Sequence, residues 1–307
     1  MADVDPAIVA ERLLRLKCTP PFEALDTRSL SVLASAGREL VCSTRTQLAV
    51  EGERASAHWV ALTGKLRVLH RGEELYGGRL DGFGGLSLLS ELPLPVDLFA
   101  DAGTVLFVLD ADTLLETLEA HSGLARAVLR AMTGLVLDAR RRERSAESSE
   151  VTVHDGAPDS RLDLVSRMMM LRAAIGLPIR NGVILDRLAR VARVVRLPPG
   201  RSLWSNPAAP ADLVVVVEGG LDRRPDGEAR DDAGQGRGLV YGLMEAVASV
   251  PPISPVITTC ESTALVVSHA EIREALEDDD RICIALIRLA ALDLWRAFWR
   301  EQALPGG

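Results

Sequence analysis

The second half of this 307-residue chain repeats the first. Phe83 aligns with Tyr241 at an offset of 158 residues. The same offset pairs Pro20 with Pro178, Leu30 with Leu188, Gly84 with Gly242, Pro93 with Pro251, Leu109 with Val267 and Leu118 with Leu276. Gly64 falls opposite Gly219 or Gly220 at a slightly smaller offset, as loops of unequal length require. A spacing held across helix, strand and turn positions means one structural unit used twice. The length agrees, since roughly 150 residues make a domain.

Within each copy the apolar pattern changes period twice. Ile8, Val9, Leu13, Leu14 and Leu16 form a helical stripe that Pro20-Pro21 stops, and Asp26 is placed to cap a second helix through Leu30 and Leu33. From Val41 to about Leu109, short apolar runs are broken by Gly52, Gly64, Gly72, Gly77 and Gly78, the signature of short strands in a small sandwich or barrel. Helices then return, at Leu114 to Leu118 and from Leu124 to Val136. The polar stretch Ser145–Ser160 reads as a linker. The expected organisation is α+β, mainly β: a first domain at 1–144, a linker at 145–160 and a second domain at 161–307.

Composition narrows the function. Hydrophobic residues make up 48% and charged residues 25%, enough for two cores without staples. A net charge of −8 and a pI near 5.3 argue against nucleic acid. The N-terminus Met1–Pro6 is acidic and polar, so no signal peptide is expected. The longest apolar stretch, Ile282 to Trp299, is broken by Arg288, Asp293 and Arg296, which makes an amphipathic helix rather than a membrane span. Four cysteines without CxxC spacing are expected as core thiols in a reducing cytoplasm.

The repeat resembles the cyclic-nucleotide-binding β-roll domain of bacterial catabolite activators and kinase regulatory subunits. In the first half, "PPFEALDTRSLSVLASAGREL" is similar to the family's helical entry, "WVALTGKLRVL" to its strand–glycine–strand and "GFGGLSLLSELPLPV" to its phosphate-binding cassette. "VLFVLDADTLLETL" looks like the last strand and the helix after it. The second half matches more weakly, through "LVVVVEGGL", "VYGLMEAVASVPPISPV" and "ALVVSHAEIREAL". The resemblance implies two β-rolls, each flanked by helices. It also implies a cassette in which a glutamate after the glycine takes the ribose hydroxyl and an arginine after the proline takes the cyclic phosphate.

Both copies depart from that pattern at both positions. Phe83-Gly84 is followed by Gly85 and Leu86, and Pro93 by Leu94. Tyr241-Gly242 is followed by Leu243, and Pro251 by Pro252. Each lost charged hydrogen bond costs about 1.5–3 kcal/mol, and two would weaken binding by roughly two to four powers of ten. Cyclic nucleotide is therefore not an expected ligand, and no cofactor or metal is implied.

The remaining candidates have plain readings. Gly234-Gln235-Gly236-Arg237-Gly238 closes an acidic loop between strands and lacks the context of a dinucleotide site. The five histidines stand singly, and His58 and His269 are expected at strand edges or the surface. No GxSxG elbow is present, so an enzyme is not expected. Arg140, Arg141, Arg142 and Arg144 end a long helix, where they complement its dipole or form a docking patch for an acidic partner or phosphate. Trp295, Phe298 and Trp299 widen the apolar arc of the last helix, which is expected to cover the second roll and to offer a surface for a partner or self-association. The sequence ends soon after that helix, so no helix-turn-helix is expected after it. Three classes follow: an adaptor using two ligand-less rolls for protein contacts, a sensor of an altered small molecule, and a kinase regulatory subunit. The first is the expectation, given the doubled loss of ligand residues and the tryptophan-bearing last helix, and the third comes last, since Met1–Pro6 offers no basic inhibitory segment.

Overall fold

A computed structural model of the chain describes residues 6–18, 22–75, 82–144, 157–158, 162–176, 182–204, 208–222 and 238–301. In it a row of four residues, Phe83–Trp59–Val108–Arg38, runs across one antiparallel sheet, and a row Tyr241–Val214–Val266–Arg193 runs across another in the same register. The two rows carry the repeat into three dimensions.

The first roll opens with helix α1 (Pro6–Lys17), a 3-10 turn at Phe22–Ala24 and α2 (Thr27–Ala36). The strands are β1 (Arg38–Cys42), β2 (Thr46–Ala49), β3 (Ala57–Thr63), β4 (Leu66–His70), β5 (Glu73–Glu74), β6 (Gly82–Phe83), β7 (Asp97–Ala100) and β8 (Thr104–Asp110). The short helix α3 (Gly85–Ser90) interrupts them, and α4 (Ala111–Ala120) and α5 (Ser122–Arg144) follow. One sheet has the order β1-β8-β3-β6 and the other β2-β7-β4-β5. In the second roll, β9 (Ala157–Pro158), α6 (Leu164–Ile175) and α7 (Gly182–Val191) precede β10 (Arg193–Leu197), β11 (Leu213–Glu218), β12 (Leu221–Asp222) and β13 (Val240–Tyr241). Then come α8 (Leu243–Ala248), β14 (Ile257–Thr258), β15 (Ser262–Val267), α9 (His269–Asp278) and α10 (Asp280–Glu301). Its main sheet, β13-β11-β15-β10, reproduces the order β6-β3-β8-β1, and β12-β14 reproduces the pairing of β4 with β7. The fold is α+β, with strands paired antiparallel throughout the described residues.

The register also refines the repeat. Ahead of the cassettes the offset is 155, taking Arg38 to Arg193 and Trp59 to Val214; from the cassettes onward it is 158. Leu30 therefore matches Leu185, not Leu188, and Gly64 matches Gly219. A slip of three residues keeps a helical leucine on the same face, so the apolar pattern alone does not detect it. Gly64 and Gly219 both take positive φ (84° and 103°), and an added Cβ would strike Thr104 in one roll and its counterpart Ser262 in the other.

Two arginines, Arg12 buried and Arg167 half-buried, show how the helical entries are pinned. Arg12 of α1 donates to the carbonyls of Ala34 and Gly37 at 3.1 and 3.2 Å and also pairs with Glu39. Its counterpart Arg167 donates to the carbonyl of Ala192 at 3.1 Å. Each guanidinium thus satisfies carbonyls that the end of α2 or α7 leaves without helical partners. Asp26 caps α2 as expected, accepting from the Ser29 N–H at 2.7 Å.

The chain forms two compact units, Met1–Leu135 with Ile287–Gly307, and Val136–Leu286. The division falls within α5 and within α10, whose last turns belong to the first unit. Within the expected linker, Ala157 and Pro158 pair with Arg196 and Val195 of β10, while 145–156 lie outside the described residues. So do Pro20-Pro21, Pro178 and most of the Gly234–Gly238 loop. Of the four cysteines expected in cores, Cys42 and Cys283 are buried but Cys18 and Cys260 are exposed. Among the described residues no helix is long and apolar enough to cross a membrane.

Candidate ligand cassettes

Both cassettes are built on a glycine that nothing else can replace. Gly84 and Gly242 sit at the N-caps of α3 and α8 with φ of 96° and 73°. An added Cβ would collide with the carbonyl oxygen of Ala57 in the first roll and of Asp212 in the second. The helices end alike, since Glu91 and Ser249, again 158 apart, both take left-handed backbone (φ 60° and 53°).

In the first cassette Gly85 rests on a histidine of the strand beneath it. The Gly85 N–H donates to Nδ1 of His58 at 3.1 Å, and an added Cβ on Gly85 would lie 3.0 Å from that nitrogen. His58 lies within β3, opposite Leu109, and is 5% exposed, so the expected edge or surface role is corrected. Its ring packs against Phe22, with centroids 5.2 Å apart. Accepting at Nδ1 requires a neutral imidazole with its proton on Nε2. Burial pushes the pKa down to about 4, with the Phe83 backbone pulling weakly the other way. Phe83 and Leu86 are half-buried. Ser87 accepts from the Ala55 N–H at 3.1 Å and donates to the Leu92 carbonyl at 2.6 Å, closing the cassette on itself. Leu94, where the resemblance implies an arginine, is 1% exposed and its backbone pairs with Gly52 and Glu53.

The second cassette closes differently. Tyr241, Leu243 and Gly242 are buried and Pro252 is half-buried. Trp204 and Tyr241 join Leu197, Val214, Val256 and Val266 in a packed apolar cluster. The Trp204 indole donates to the Asp212 carbonyl at 3.2 Å, and the Tyr241 hydroxyl to the Leu221 carbonyl at 3.5 Å. In this cluster the aromatic groups face apolar neighbours, with their polar ends turned to backbone carbonyls. Glu245, the counterpart of Ser87, is 6% exposed and pairs with Arg140.

The candidate partner residues are more occupied than their sequence suggests. Trp299 and Trp295 are 1% and 4% exposed and pack edge to face at 5.4 Å, with Phe298 half-buried against Trp299. Two rings expected at a partner surface are thus part of the chain's own core. Arg141 pairs with Asp138 at 2.8 Å, and Arg142 donates to the Asp138 carbonyl. Glu245 and the arginine pair Arg12 and Arg167 are not singled out by the sequence, and His58 is placed by it at an edge rather than under the cassette. The available signals were the histidine standing where the second copy has Leu213, and one carboxylate in the otherwise apolar run of α8.

No family model matches the chain, and no curated protein matches it. Solved structures do. A regulatory subunit of a cAMP-independent protein kinase A from Trypanosoma brucei is similar over 99% of this chain and 92% of that one, at 16% identity and a TM-score of 0.36. The Trypanosoma cruzi counterpart bound to guanosine is similar over 98% and 93%, at 16% and 0.36. The regulatory domain of Toxoplasma gondii PKA with cAMP is similar over 92% and 96%, at 17% and 0.35.

Proposed function

We propose that this chain is a non-catalytic regulatory or adaptor protein whose two degenerate cyclic-nucleotide-binding-like rolls, in tandem, serve protein–protein interaction in the cytoplasm without cyclic nucleotide. One observation carries the reading: three of the four places that would hold the glutamate and the arginine are closed by the chain's own packing, and the fourth, Pro252, is half-buried. His58 lies under Gly85, Leu94 is fully buried, and Leu243 packs in the second roll. A cyclic phosphate seated there would lose its water and gain no cation, which costs several kcal/mol. A partner or a second copy would have to engage surface other than Trp295 and Trp299.

Calorimetric titration with cyclic AMP and cyclic GMP up to millimolar concentration tests the reading. It expects no saturable heat. Micromolar binding would replace it with a second-messenger sensor, and stabilisation of the chain by an uncharged small molecule in a thermal-shift screen would replace it with a sensor of altered specificity.

A further inference from the structure

Glu245 is the one charged residue of α8, and it is buried. Its counterpart Ser87 completes its hydrogen bonds locally, with Ala55 and Leu92. A carboxylate at this depth needs a cation or must give up its charge. The cation arrives from far along the chain: Arg140 of α5 places Nη1 3.2 Å from Oε2 and 3.4 Å from Oε1. Both residues belong to the second unit, which takes the last turns of α5 from Val136 onward. The Arg140 side chain keeps only a quarter of its surface.

We propose that Arg140 and Glu245 form a built-in latch that holds the last turns of α5 on the cassette helix α8, with the chain's own carboxylate as the anion. The cassette is then held in place without a ligand. The latch goes beyond the adaptor reading, because it stands whether or not either roll takes a small molecule.

Hydrogen exchange on the full chain, read by mass spectrometry, tests it. Glu245→Gln keeps the size and removes the charge. Amides of 136–144 and 243–248 should then exchange about 10- to 100-fold faster, while β10, β11 and β15 keep their protection. Arg140→Gln should loosen the same two segments, and the exchange Arg140→Glu with Glu245→Arg should restore them. Unchanged exchange in both single variants overturns the latch. So does loosening of the whole second unit, which would make the pair a folding element, or failure of the charge exchange to restore protection. A positive nucleotide titration would remove the adaptor reading and leave these outcomes as they are.

Discussion

The backbone N–H of Gly85 meets Nδ1 of His58 at 3.1 Å, and the second copy has leucine at both places, Leu243 and Leu213. In the first roll the residue opening the cassette helix and the strand residue beneath it share one volume. An added Cβ on Gly85 would lie 3.0 Å from Nδ1 of His58, so any larger residue there requires the ring to give way. The glycine in place of the family's glutamate is therefore half of a packing pair.

Acid should act on the first roll through this histidine. Its folded pKa is about 4 against an ordinary 6.5. The stability tied to keeping the ring neutral is whole above about pH 6.5 and is lost as pH falls from there through 4, about 3 kcal/mol in all. Urea unfolding at pH 7 and pH 4 checks it: His58→Leu should lack that part of the acid loss. Equal losses in both proteins would remove His58 as its source.

The pair should also couple in a double-mutant cycle. Gly85→Leu alone should destabilise by about 2 kcal/mol, because its Cβ enters at 3.0 Å from the imidazole. With His58→Leu beside it, the cost should fall by about 1 kcal/mol or more. Denaturation midpoints of the four proteins give the coupling, and strict additivity would contradict it.

Restoring the family's cation should fail. Leu94→Arg puts a guanidinium at a site 1% exposed, with its backbone tied to Gly52 and Glu53. A loss of about 3 kcal/mol is expected, with no gain of cyclic-nucleotide heat. A variant as stable as the parent that binds cyclic AMP would show that an open pocket had been waiting for its arginine.

Ser249→Gly should stabilise. Ser249 holds φ of 53° at the end of α8, a conformation that costs a non-glycine residue about 1 kcal/mol. A gain of about 0.5–1 kcal/mol should raise the melting temperature by a few degrees in calorimetry. Glu91→Gly should gain less, since Glu91 also pairs with Arg288 at 3.0 Å. An unchanged or lower melting temperature for Ser249→Gly would show that the turn is unstrained.

Much of the architecture is written locally. Period, capping and turn chemistry act within a few residues, so the sequence by itself determined the helix–strand–helix order, the doubling, the glycines that open both cassettes and the absence of the glutamate and arginine that the resemblance implies. It left the offset loose by three residues, because α2 and α7 show the same apolar face in either alignment. Tertiary structure decided what occupies the cassettes. His58 and Gly85 stand 27 residues apart and Arg140 and Glu245 stand 105 apart, so neither pairing leaves a local trace. It also decided that Trp295 and Trp299 are core: a wide apolar arc looks the same in sequence whether a partner or the chain's own packing removes it from water.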